Sequence, residues 1–140
     1  MDRARYDQYV QRFNAEDATA FDEFIAPDMR MLNGALEFRG IQGMRDHYER
    51  RIWPYFRETL EILKFVASDA VLAAQLRTHF LAKVGAETLF GTVVPGDQFE
   101  YRGIVMYEIG DGRFTCITVA YNSFTRTNRT GDVIELGMPH

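Results

Sequence analysis

The chain contains little cysteine and tryptophan and no long apolar run. A single cysteine, Cys116, cannot close an internal disulfide, which excludes a disulfide-stapled scaffold. It stands between Thr115 and Ile117 in a strand-like run and reads as a small buried hydrophobe. Three histidines, His47, His79 and His140, lie far apart with no cysteine cluster, so no metal site is expected. No phosphate-cradling glycine loop and no nucleophile elbow occurs. Apolar runs stay well below the roughly 18 residues that a membrane span requires. The opening stretch MDRARYDQYV has charges where a signal peptide would place its apolar segment. A cytoplasmic protein with no membrane partner is therefore expected. Positive charge is also in deficit, with 16 Lys and Arg against 20 Asp and Glu, a net −4. That balance gives no general reason to bind nucleic acid, and Arg126 with Arg129 in a polar tail do not make a polyanion site.

Aromatic surface, by contrast, is plentiful: eleven Phe and seven Tyr in 140 residues. That length fits one domain, 1–140, with 125–140 as a C-terminal tail. So much ring surface suits a thick core, an apolar cavity or an interface.

Tyr6, Tyr9, Val10 and Phe13 recur at helical spacing and predict an amphipathic first helix. Asp17 is placed to cap a second helix carrying Phe21, Phe24 and Ile25, which Pro27 stops. A hairpin is predicted from Asp28–Leu32 and Ala35–Phe38 around Asn33-Gly34. Gly40 opens a third helix with Ile41, Met44, Tyr48 and Ile52 on one stripe, ending near Trp53 before Pro54. The charge run Arg45 to Arg51 reads as its solvated face. The second half changes to strand character in Thr59–Val66, Val71–Val84, Glu87–Val93, Gln98–Ile109 and Arg113–Phe124. Val71 through Val93 reads as one long excursion bulged around Gly85. Helices followed by an antiparallel meander specify an α+β domain.

The stretch RGIVMYEI carries a problem of sides. Val105, Tyr107 and Ile109 point one way, Ile104 and Met106 the other, and both sets are apolar. Helices of the chain can cover one face. A second copy of the protein is the simplest cover for the other.

FRGIQGMRDHYERRIWPYF and TLFGTVVPGDQFEYRGIVMYEIGDGRFTCITVAYN together resemble the SnoaL-like polyketide cyclases of the nuclear transport factor 2-like superfamily. Phe38-Arg39-Gly40 before a helix, Leu89-Phe90-Gly91, Pro95-Gly96, Arg102-Gly103 and Asp111-Gly112-Arg113 follow the family's order. The resemblance implies a cone-shaped, cystatin-like α+β shell. Its curved antiparallel sheet wraps a deep apolar pocket closed by the N-terminal helices. It also implies a homodimer through the outer sheet face. Isomerases, cyclases, dehydratases, epoxide hydrolases and nonenzymatic modules share this fold, so it does not name a reaction.

The resemblance further implies where proton-handling groups would stand. In the cyclase pattern a histidine follows the Arg-Gly pair and an aspartate lies on the last strand; Val105 and Val119 occupy those positions. The isomerase base would fall near Met31 to Asn33, where no carboxylate occurs. What remains is a set of candidates by strand parity and helical stripe. Tyr101 and Tyr107 share the parity of Val105, and Thr115, Ile117, Tyr121 and Ser123 that of Val119. Tyr6, Tyr9 and Tyr48 supply hydroxyls to a pocket wall or simply pack. Met29, Met31 and Met44 fill core gaps or line the pocket. His79 is the candidate acid or base, with Arg77 on its face to orient a carboxylate or depress its pKa. That pair faces the pocket, a partner subunit or solvent. His47, between charged neighbours, reads as a helix-edge residue. Two functions stay open. One is binding of a small apolar or aromatic molecule in an enclosed pocket lacking the usual His/Asp groups. The other is a cofactor-independent isomerase, cyclase or dehydratase on a cyclic carbonyl compound, using Tyr and His groups.

Overall fold

The computed structural model describes residues 1–137; His140 lies outside them. Helix α1 (Arg3–Asn14) starts where the Asp2 carboxylate accepts the Arg5 N–H at 2.8 Å, and buries Tyr6, Tyr9, Val10 and Phe13 as their spacing predicts. Helix α2 (Thr19–Phe24) is similarly tied by Asp17, whose carboxylate accepts the Thr19 N–H at 3.0 Å. It ends sooner than Pro27 would enforce. The chain turns extended at Ile25 and continues directly as β1 (Ile25–Asn33). Pro27 sits inside β1 where pairing to its neighbour is interrupted, so its missing N–H breaks no ladder.

Strand β2 (Leu36–Arg39) returns from β1 with Asn33 paired to Leu36, so the turn is Gly34-Ala35 rather than Asn33-Gly34. Gly40 has φ +68°, and a Cβ there would lie 2.5 Å from the Pro27 carbonyl oxygen. Both facts require glycine after Phe38-Arg39. Helix α3 (Gly40–His47) does not run on to Trp53. It passes into a π-helical turn, Tyr48–Ile52, closed by the Trp53 N–H donating to the Tyr48 carbonyl at 2.8 Å. The wider winding turns Tyr48, Ile52 and Trp53 inward together. On the wet side Arg45 pairs with Asp22 and Glu49, and Arg50 with Asp46, as a solvated charged face should.

The remaining strands are β3 (Phe56–Ala67), β4 (Val71–Ala82), β5 (Ala86–Thr88), β6 (Gly91–Val93), β7 (Gln98–Gly110), β8 (Arg113–Thr127) and β9 (Val133–Glu135). The main sheet runs β2-β1-β8-β7-β4-β3, with β9 joined to the end of β8. It is antiparallel except that β1 lies parallel to β8. The long excursion expected between Val71 and Val93 does not form. The chain leaves β4 at Ala82, and β5–β6 make a separate small hairpin. The tail is part of the structure: β9 pairs with Thr125–Thr127, while Arg126 ion-pairs with buried Asp97 at 2.6 Å. No helix among the described residues is long and apolar enough to cross a membrane.

Curvature comes from β8. Against β7 it carries an extra residue at Thr115 and another at Asn122, so both positions bulge. At the second bulge β7 presents Gly103, where an added Cβ would overlap the Ala120 carbonyl and approach the Tyr121 Cα to 2.6 Å. The helices lie on the concave side. Phe99, Val105 and Tyr107 are buried beneath them, while Ile104 and Met106 on the opposite face are about half exposed. RGIVMYEI therefore has one face in the core and one apolar face outside.

Gly103→Ala tests the close approach of β7 and β8. We expect a loss of roughly 2–3 kcal/mol, read as a lower urea midpoint with an unchanged far-ultraviolet circular dichroism spectrum.

Candidate active site

Between the concave sheet and the helices lies a cavity of about 250 Å³. Tyr9 and Phe13 of α1 reach it from one side, and Met44, His47, Tyr48 and Ile52 from α3 and the π-turn close another. Leu76, Thr78 and Phe80 of β4, Tyr101, Val105 and Tyr107 of β7, and Ile117, Val119 and Tyr121 of β8 form the wall. Val105 and Val119 are paired across β7 and β8, so that stretch of wall is apolar.

Tyr9, Tyr48, Tyr101, Tyr107 and Tyr121 thus reach the cavity with the two valines. Tyr6 does not line it. It is buried behind Tyr107, and the two hydroxyls are 2.9 Å apart. Met29 is core, whereas Met31 and Met44 line the cavity. Strand parity fails at both β8 bulges. Thr115 and Ser123 do not line the cavity; Phe114 is buried and Phe124 contributes to the lining instead. Cys116 is only partly buried, 3.8 Å from the Thr118 hydroxyl.

Arg77 and His79 are excluded from the cavity. On β4 the inward set is Leu72, Ala74, Leu76, Thr78 and Phe80, and strict alternation turns Arg77 and His79 to the outer face. There Arg77 Nε donates to Glu61 at 2.7 Å, and His79 Nε2 lies 2.8 Å from Gln98 Oε1.

Two titratable groups take their place. Glu58 sits on β3 between Phe56 and Leu60, lines the cavity and is 6% exposed. Its Oε2 has no hydrogen-bond partner among the described residues. Burial pushes its carboxyl up to about 8. His47 is also buried, with its ring stacked on Phe38 at 5.0 Å and its Nδ1 unpartnered among the described residues. Burial and the nearby Arg51 charge pull it down to about 4, so it is neutral at neutral pH.

Glu58 was hidden in the sequence because Arg57 and Thr59 flank it and β3 was expected to begin at Thr59. Starting the strand at Phe56 makes Phe56, Glu58 and Leu60 one face, and that alternation was the available signal. His47 was concealed by its charged neighbours Arg45, Asp46, Glu49 and Arg50.

The hydroxyls differ in their engagement. Tyr101 donates to Asn33 Oδ1 at 3.1 Å. Tyr9 and Tyr48 make no side-chain hydrogen bond among the described residues; burial raises both far above the ordinary phenol range, with Tyr6 and then Glu58 adding to the rise at Tyr9, and Glu58 leading the smaller causes at Tyr48. Among the described residues the lining therefore combines apolar wall, weak donors and one carboxyl, with no permanently charged cation. It suits an uncharged ligand better than an anion. Among the described residues no three His, Cys, Asp or Glu side chains gather as a metal set would.

The SnoaL-like domain family matches residues 6–117. Among solved structures, a candidate polyketide cyclase from Xanthomonas campestris is 24% identical, with a TM-score of 0.72 over 85% of this chain and 88% of that one. A second candidate polyketide cyclase, from Pseudomonas putida, is 21% identical with a TM-score of 0.71, covering 84% and 89%. The Delta 5-3-ketosteroid isomerase of a Mycobacterium species is 18% identical with a TM-score of 0.68, covering 89% and 96%. These likenesses establish the fold. No curated protein matches the sequence.

Glu58 and His47 give stability opposite pH dependences. The raised Glu58 contributes fully below its unfolded value of 4.5 and is lost as pH rises through about 8. The depressed His47 contributes above 6.5 and is lost as pH falls through about 4. Glu58→Gln is expected to be the more stable form near pH 9 by roughly 2–4 kcal/mol, with little gain near pH 5. Urea unfolding across pH checks both limbs.

Proposed function

The chain belongs to the SnoaL-like domain family, and from that premise we propose that its cavity holds a small, uncharged, largely apolar or aromatic molecule. The observation that carries this reading is the lining itself. Rings and aliphatic chains make up most of it, while Asn33, Thr78 and the tyrosine hydroxyls supply a few orienting polar groups. Tyr9, Tyr48, Tyr101, Tyr107, Val105, Val119 and Tyr121 are the contacts; Tyr6 holds Tyr107 in place from behind. Val105 and Val119 where a cyclase would carry histidine and aspartate favour retention of a ligand over cyclase chemistry at those strands.

The isomerase, cyclase or dehydratase reading loses His79 as its acid or base, since His79 is on the outer face. His79→Ala should leave ligand binding unchanged.

Prodan, an uncharged naphthyl ketone whose emission shifts to the blue in apolar surroundings, tests the pocket. We expect one molecule bound per chain with a blue shift. Val105→Trp, which fills the wall, should abolish the shift while the fold persists. Equal shifts in the two proteins would place the probe elsewhere and reject this reading.

The same reading makes the protein a homodimer through its outer sheet face. Ile104 and Met106 stand out from that face, and their neighbours across the sheet are Ala73, Gln75, Thr118 and Ala120. Ala73, Thr118 and Ala120 are short, which lets two such faces approach closely beside them. Sedimentation at micromolar concentration should give twice the 16.2 kDa chain mass. Ile104→Glu with Met106→Glu should return it to one chain; a wild type that sediments as a single chain would reject the dimer.

A further inference from the structure

We propose that Glu58 is a proton-transfer residue, which takes a hydrogen from the carbon beside a carbonyl of the bound molecule and returns it. This rests on the pocket reading above and adds a reaction to it.

The position is unusual for a carboxyl. Glu58 is paired across the sheet to Phe80, and its strand neighbours on the inward face are Phe56 and Leu60. No donor among the described residues meets its buried Oε2. A leucine there would pack without the desolvation penalty that an unpaired acid incurs. The carboxyl therefore costs stability when it ionises, and its Oε2 has no structural partner among the described residues. Its polar surroundings face the same space: Tyr9 from α1, His47 and Tyr48 from α3 and the π-turn, Thr78 from β4 and Tyr101 from β7. Tyr9 and Tyr48 line the same cavity as Glu58. Both hydroxyls lack a side-chain partner among the described residues, so either can donate to an oxygen of the ligand.

A ketone in this cavity supplies what the geometry lacks. In its ionised form Glu58 accepts the α-hydrogen as a proton. The C–H electron pair becomes a C=C bond, and the carbonyl pair moves onto oxygen as an enolate. A tyrosine hydroxyl donates a hydrogen bond to that oxygen. The protonated Glu58 then returns a proton to the same carbon, or to a conjugated one where the ligand has it. No oxidant, metal or second substrate is consumed. The reacting carboxyl stands on β3 rather than on β7 or β8, where the two valines occur, so the chemistry has a different origin in the sheet.

The test uses β-tetralone, a small aromatic ketone, with α-hydrogen exchange in D₂O followed by proton NMR. Binding is read separately, as displacement of prodan. Wild type should accelerate exchange over buffer, rising with pH through an inflection near 8 as Glu58 ionises. Glu58→Gln should lose roughly 100-fold or more of that rate and the inflection with it, while still binding β-tetralone. Glu58→Asp, which keeps the carboxyl, should recover part of the rate. Equal rates in wild type and Glu58→Gln, or bound β-tetralone exchanging no faster than in buffer, would overturn the role of Glu58 and leave the pocket standing. Failure of wild type to bind either ketone would overturn the pocket reading, and the proton transfer with it.

Discussion

Three helices and a π-helical turn cover the concave side of the sheet, and their side chains stop short of filling it. The sheet bends that far because β8 carries one residue too many at Thr115 and again at Asn122. At the second point Gly103 lets the β7 and β8 backbones meet where any side chain would collide. Each bulge also resets which side chains look inward, so Phe114 and Phe124 join the aromatic interior. Without these offsets the same residues would form a flatter sheet with a solid core beneath the helices.

Within the hollow, electrostatics follow from the scarcity of partners. Glu58 and His47 are each too buried to carry charge cheaply, so one is pushed up and the other down. Both are accordingly uncharged through most of the neutral range. The cavity is thereby electrically quiet, ringed by phenols and lined by one carboxyl, which is the ground for the uncharged ligand and the proton transfer proposed above. The valine pair on β7 and β8 is consistent with this arrangement, because it leaves that wall apolar.

The outer face is organised by different rules. There the charged and polar residues pair laterally, Arg77 with Glu61 and His79 with Gln98, and none needs a ligand. The central strip of Ile104 and Met106 has no such lateral solution. Opposite faces of one strand, RGIVMYEI, thus belong to two separate surfaces: a pocket wall and an apolar exterior.

Local pattern sufficed for the helical stripe of α1, the strand-rich second half, and Val105, Tyr101 and Tyr107 sharing a side, because periods of 3.6 and 2 survive wherever backbone geometry is regular. The FRG entry to α3 was also legible, since its glycine answers to a contact only a Cβ-free residue permits. Tertiary structure alone decided the rest. Parity along β4 names two alternating sets but cannot say which one meets the helices, so His79 was as eligible as Thr78 until the layers were assembled. Glu58 and His47 look like surface charges beside their neighbours in the chain. Packing against Phe56, Phe38 and the tyrosines turns them into buried groups. Sequence records what a residue is and its period; burial, and hence pKa and chemistry, belongs to what folds around it.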